Sequence, residues 1–145
     1  MIIWFTGQPG AGKTTLSNHM LKFLNEKTIQ IDGDKLRDIF SNYDYTVEGR
    51  KKNITNVITI ARFLDYNNYN VLISVVAPFK ELRDSLKKTN DVIEVYLHTN
   101  EVRGRENFFS KCYEPPDKDF LDLDTGKLSI EECTNKVLEK LKSLG

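Results

Sequence analysis

The 145-residue chain is short of most signals that would place it outside the ordinary globular class. It has no apolar run approaching the roughly 20 residues of a membrane helix, and no basic leader followed by an apolar segment. Cysteine is scarce: Cys112 and Cys133 are too few and too unpatterned for a disulfide framework or a metal cluster. Free thiols in a reducing cytoplasm are therefore the expectation. An excess of one charge is missing too, because 21 Lys and Arg balance 21 Asp and Glu. A dedicated nucleic-acid binder would carry a basic surplus, so neither nucleic acid nor membrane is an expected partner. Four prolines and eight glycines do not make a linker or a low-complexity tract, and no internal repeat is visible. What is present, 39% hydrophobic and 29% charged residues over residues 1–145, suits one domain with a sizeable core.

The few glycines are concentrated at the start. Gly7-Gln8-Pro9-Gly10-Ala11-Gly12-Lys13-Thr14 follows a strand-like Ile2-Ile3-Trp4-Phe5-Thr6 and precedes a helical pattern carried by Leu16, Met20, Leu21 and Leu24. This is the phosphate-binding loop in the context that motif requires, strand before and helix after. Glycines let successive backbone N–H groups turn toward phosphate oxygens, and the helix N-terminus adds its positive end. Lys13 is expected to reach the β- and γ-phosphates of a nucleoside triphosphate, and Thr14 to offer its hydroxyl to Mg²⁺.

Further along, hydrophobic periodicity predicts helix over 13–26, strand over 28–31 and helix over 35–40. Ser41–Thr46 reads as a loop with two exposed tyrosines, and a long helix is expected from Val47 to Tyr66. Val71–Val76 reads as a strand buried on both faces, followed by helix over 80–88 and strand over 92–97. A helix is predicted to start at Asn100 and run to about Phe109, then a loop over 111–118 and a short strand over 120–123. Ser129 caps the closing helix, with Glu131 and Glu132 in its first turn. Strands alternating with helices imply an α/β three-layer P-loop sandwich on a five-stranded parallel sheet, expected order 2-3-1-4-5. Ligands in such sheets bind beyond the carboxyl ends of the strands, so Gly7, Asp32, Pro78 and Thr99 should face one cleft. Lys80, Arg83, Lys87 and Lys88 gather on one helix and read as a solvated face.

A phosphate loop alone does not separate a kinase from other nucleotide-binding proteins. Asp32-Gly33-Asp34-Lys35-Leu36-Arg37 sets two carboxylates and a guanidinium just past the second strand. There they suit a Mg²⁺ anchor, a base and an anion clamp. They equally suit a helix cap at Asp34 and a surface charge at Arg37. With that run the chain resembles the adenylylsulfate kinase family, which passes the γ-phosphoryl of ATP to the 3′-hydroxyl of adenosine 5′-phosphosulfate. The resemblance extends from Ile2 to about Thr125 and includes Tyr45 through Ile54, Val76-Ala77-Pro78-Phe79 with Arg83, Glu94-Val95-Tyr96-Leu97, and Leu123-Asp124-Thr125.

The resemblance implies ATP and Mg²⁺, with the donor held by Gly7, Gln8, Pro9, Gly10, Ala11, Gly12, Lys13, Thr14, Thr15 and Arg105. It makes Asp32 the catalytic acidic residue, acting with Lys13, and gives Mg²⁺ to Thr14 and Asp32. Asp34, Arg37, Tyr45, Arg50, Asn53, Pro78 and Phe79 would line a pocket for a nucleotide-like small molecule, with Tyr45 and Phe79 sandwiching its base. Phe79 as core and Arg50 as a helix surface charge are the plain alternatives. A homodimer is implied as well.

The chain also departs from the family. The Lys-Gly-Leu-Tyr lid element is missing between Arg105 and Tyr113, leaving Phe108, Phe109 and Lys111 as a reduced lid. Gly49, Thr55 and Ala77 stand where the family has aspartate, arginine and serine. A kinase for a different anionic nucleotide derivative, or an ATP-binding module without activity, are the readings these edits leave open.

Overall fold

Ile2–Thr6 forms the central strand, β1, and all of it is buried. A strand alternates its side chains, so Ile2 and Trp4 enter one hydrophobic cluster while Ile3 and Phe5 enter another. The computed structural model, which describes residues 1–144 apart from the side chain of Phe108, builds a five-stranded sheet around this strand. β2 (Thr28–Asp32), β3 (Asn70–Ser74), β4 (Val92–His98) and β5 (Phe120–Asp124) join it in the order β2-β3-β1-β4-β5. Every pairing is parallel. α1 (Lys13–Met20) and α5 (Ile130–Leu144) cover one face through Leu16, Met20, Cys133 and Val137. α2 (Gly33–Phe40), α3 (Val47–Tyr66) and α4 (Lys80–Thr89) cover the other through Leu36, Ile54, Val57, Ala61 and Leu86. Architecture and strand order are those expected. Among the described residues no helix is long and apolar enough to cross a membrane.

Several boundaries move for local chemical reasons. α1 stops at Met20 and gives way to a single 3-10 turn at Leu21–Phe23 rather than continuing to residue 26. α2 begins earlier than predicted because Asp32, not Asp34, is its cap: Asp34 N donates to Asp32 Oδ1 at 2.9 Å. β3 ends at Ser74, and Val75 and Val76 leave the ladder with their carbonyls accepting from Trp4 Nε1 at 3.4 Å and Thr6 Oγ1 at 2.9 Å. The helix expected from Asn100 is absent except for a 3-10 turn at Glu106–Phe108. There the Glu106 carboxylate accepts from Arg103 N at 3.0 Å and Gly104 N at 3.2 Å, and Thr99 Oγ1 accepts from Glu101 N at 3.0 Å. Short polar side chains that take backbone donors in this way compete with a helix. Ser129 and Glu132 do form the predicted cap of α5, exchanging hydrogen bonds of 3.0 and 3.1 Å.

Of the basic residues on α4 only Lys88 is exposed, and the rest are not a solvated face. Arg83 is 1% exposed, and its Nε donates to Glu94 Oε2 at 2.8 Å. Lys87 reaches the other oxygen of the same carboxylate at 2.8 Å. Residues 83 and 87 share one side of the helix and meet β4 at Glu94, which is itself buried, while Lys80 pairs with Asp84 and Asp117. Arg83 also donates to the carbonyls of Ala77 and Glu114 and lies over the Tyr113 ring. Arg83→Met should therefore lower stability by about 3 kcal/mol, the low end of the cost of breaking a buried ion pair, because Lys87 still holds the other oxygen of Glu94. Urea denaturation measures this, and a loss below about 1 kcal/mol would show that the pair does not hold the fold together.

Candidate active site

β1 delivers the chain to the phosphate loop at its carboxyl end, and the first requirement is room to turn. Gly7 has φ +151°, and a Cβ there would stand 2.2 Å from the Leu97 carbonyl oxygen on β4. No side chain fits, so glycine is obligatory. Lys13 opens α1 and is 8% exposed, with Nζ donating to the carbonyls of Gly7 at 3.0 Å and Gln8 at 2.9 Å. Burial, and then the neighbouring Arg105 charge, lower its pKa to about 8. Thr14 and Thr15 are exposed at the start of the helix.

The loop borders a cavity of about 830 Å³. Its phosphate-loop side is lined by Pro9, Gly10, Gly12, Lys13, Thr14, Thr15, Arg103 and Arg105. Its opposite side gathers Asp32, Asp34, Arg37, Tyr45, Arg50, Asn53 and the run Val75–Pro78. The sequence-predicted acceptor residues thus converge, with one exception. Phe79 is 8% exposed, packs in the core against α3 and α4, and carries Lys51 Nζ 5.1 Å from its ring centroid. Phe79 is the N-cap of α4, and its ring joins the hydrophobic cluster that α3 and α4 cover. Gln8 and Ala11 line a neighbouring cavity of about 480 Å³ together with Thr99, while Gly7 is buried behind the loop. The strand ends therefore border adjoining hollows rather than the single cleft expected.

Arg37 is not a surface charge. It is 7% exposed, its Nη1 donates to the carbonyls of Asn42 at 2.9 Å and Asp44 at 3.2 Å, and its guanidinium carbon sits 4.3 Å from the Tyr45 ring centroid. Tyr45, 60% exposed, is thereby supported from one side and left open on the other. Two departures from the family fall outside the cavity. Thr55 points along α3, donating to Lys51 O at 2.9 Å. Gly49 makes room for Asp44, whose carbonyl oxygen lies 2.2 Å from where a Cβ would stand. Ala77, in contrast, lines the cavity with φ +45°.

Sequence reasoning missed three participants, and it had Gln8 only as a member of the phosphate loop, without its side-chain contact. Ser74 closes β3 at the cavity, and its Oγ and Asn53 Oδ1 are buried side-chain polar atoms without a partner among the described residues. A polar residue ending an apolar strand was the available signal. Buried polar atoms are normally paired, so these suit a bound polar group. Arg103 joins both nucleotide-side loops, donating to Gly10 O at 3.0 Å and Thr125 O at 2.9 Å. Tyr113 shares a 2.7 Å hydrogen bond with Thr6 Oγ1, and burial pushes its pKa up to about 12. Gln8 bonds Ser110 through its side chain. Of the reduced lid, Phe109 and Lys111 are exposed, and the Phe108 side chain lies outside the described residues.

The lowered Lys13 pKa has a sign that can be worked out. Charge is lost as pH rises through about 8, and a phosphate ligand needs the charged form. Affinity for a non-hydrolysable nucleoside triphosphate analogue should fall about tenfold between about pH 7 and pH 9. Titration calorimetry at both values checks this; equal dissociation constants would contradict it.

Comparison with known proteins agrees with this geometry. The family model described as adenylylsulphate kinase matches residues 1–118. The adenylyl-sulfate kinase of Halothermothrix orenii is 32% identical over 166 residues, covering 99% of this chain and 90% of that protein. A probable adenylyl-sulfate kinase of Pyrococcus abyssi is 29% identical, covering 99% and 95%. The Mycobacterium tuberculosis APS kinase CysC, solved in complex with AMPPNP and APS, superposes with a TM-score of 0.79 at 24% identity, covering 97% and 96%. On the sequence matches, with the fold concordant, the chain belongs to the adenylylsulphate kinase family.

Proposed function

We propose that the cleft transfers the γ-phosphoryl group of ATP to the 3′-hydroxyl of adenosine 5′-phosphosulfate. The observation that carries this reading is one cavity bounded by the phosphate loop on one side and by Asp32, Arg37, Tyr45, Arg50 and Asn53 on the other. Backbone amides of residues 8–14, with Lys13 and Arg105, hold the donor phosphates. Arg37 and Arg50 bind the anionic end of the acceptor, and the open face of Tyr45 stacks its base. Asn53 Oδ1 and Ser74 Oγ, both buried, accept or donate hydrogen bonds to the bound molecules.

Asp32 uses Oδ1 to cap α2, which fixes the carboxyl group and leaves its other oxygen to orient or deprotonate the attacking hydroxyl. The donor set fits Mg²⁺: Thr14 and Asp32 line the same cavity and offer hard oxygen. That suits an ion held by few protein oxygens together with phosphate and water. When bound, Mg²⁺ supplies charge neutralisation on the donor phosphates. The reading places the protein in the cytoplasm, where ATP is plentiful and the free Cys112 and Cys133 stay reduced.

A different acceptor is the second reading, and it rests on the changes that do reach the cavity, Ala77 and the shortened lid. An acceptor panel separates the two. ADP release should require adenosine 5′-phosphosulfate and be absent with gluconate or with nucleoside diphosphate derivatives; turnover on one of those alone would favour the second reading. Asp32→Asn should cut kcat by at least about 100-fold. The dissociation constant for the ATP analogue should stay within about threefold, since the variant keeps the cap. Unaltered turnover would remove Asp32 from its role.

A further inference from the structure

Residues 99–119 connect β4 to β5 and wall the cleft through Arg103, Arg105 and Ser110. In the middle of this segment, Gln8 Nε2 donates to Ser110 O at 2.9 Å while Ser110 N donates to Gln8 Oε1 at 2.9 Å. The carboxamide spends both polar ends on one backbone residue, as a neighbouring strand would. The phosphate loop itself does not need this side chain, because Lys13 meets Gln8 through its carbonyl. The two ends of the segment are held elsewhere: Arg103 on Gly10 and Thr125 at the entrance, Tyr113 on Thr6 and Glu114 on Arg83 at the exit. Between them the segment packs closely on the loop, with Arg105 Cβ 3.1 Å from where a Cβ on Gly10 would stand.

We propose that Gln8 is a positioning residue that keeps the shortened segment docked over the donor phosphates. Kinases exclude water by closing a lid over the reacting groups. Here the latch sits inside the phosphate loop, and one side chain holds Ser110 and its neighbours in place without a large closure. Undocking admits water to the γ-phosphorus: a P–O bond to water forms, the P–O bond to ADP breaks, and the proton passes to solvent. The inference rests on reading this cleft as a phosphotransfer site, so its primary test needs no acceptor.

Amide hydrogen exchange at Ser110 reads docking directly, on the full chain alone. Gln8→Ala should speed that exchange about tenfold, the effect of losing hydrogen bonds of ordinary net strength. With ATP and Mg²⁺ present, the ratio of ATP hydrolysed to acceptor phosphorylated should rise by a similar factor. A purely structural role would lower both rates together and leave that ratio unmoved. Ser110→Pro removes the N–H donor from the other partner without touching the phosphate loop, and Phe109 already has the extended ψ of 137° that a following proline requires. It should raise the same ratio, and the double variant should be no worse than the more affected single one. Ser110 exchange unchanged by Gln8→Ala, or an unmoved hydrolysis ratio in either variant, would overturn the proposal. If Gln8→Ala fails to fold, Ser110→Pro decides on the ratio alone. Failure of the acceptor panel with intact Ser110 protection would count against the substrate assignment and leave the latch standing.

Discussion

A loop that aims its amides into a cavity must turn hard as it leaves the sheet. Here the turn is made at Gly7, directly against the carbonyl of Leu97 on the neighbouring strand. Only a residue without Cβ can occupy that place. From this close approach follow the start of α1 at Lys13, the burial of the Lys13 ammonium against the loop carbonyls, and the direction in which the loop faces the cleft. The donor half of the site is thus local. Its loop is written within a dozen residues, and Arg103, Thr125 and Ser110 hold that loop from outside.

The opposite wall, proposed to take the acceptor, is assembled from further apart. Asp32 arrives from β2, Asn53 and Arg50 from α3, Ala77 and Pro78 from the turn after β3. Arg83 ties these to the lid region: one buried guanidinium holds Glu94 on the sheet, the carbonyl of Ala77 at the cavity and the carbonyl of Glu114 on the returning segment. Tyr113 lies against both Arg83 and Tyr96 and bonds Thr6, linking the same segment to the central strand. A side chain that satisfies several buried backbone acceptors at once is expensive to replace, which explains why a basic residue lies inside the fold.

Most of the fold was legible because it rests on patterns that survive without tertiary information. The apolar run of β1, the spacing along α3 and the Ser129–Glu132 pair each carry their own local signal. Prediction failed where side chains settle the matter across long separations. Residues 100–109 have helical spacing, yet Glu106 and Thr99 capture the backbone donors a helix would use. Arg83 reads as one more surface charge until Glu94 is placed opposite it. Among the candidate site residues, those of the phosphate loop and Asp32 were visible from motif alone, and Arg37, Tyr45, Arg50 and Asn53 through resemblance. Arg103, and the side-chain role of Gln8, gave no comparable sign, since their partners lie about 100 positions away, while Ser74 was marked only as a polar residue closing an apolar strand.

The central claim is that a cleft with a shortened lid still brings a donor phosphate and an adenylylated acceptor together at Asp32. Phosphorus NMR of the product tests it most directly. Incubation with ATP, Mg²⁺ and adenosine 5′-phosphosulfate should yield ADP and an equal amount of acceptor bearing a new phosphate monoester on its 3′-hydroxyl. Free inorganic phosphate as the main product, or a phosphate on any other position, would contradict the account.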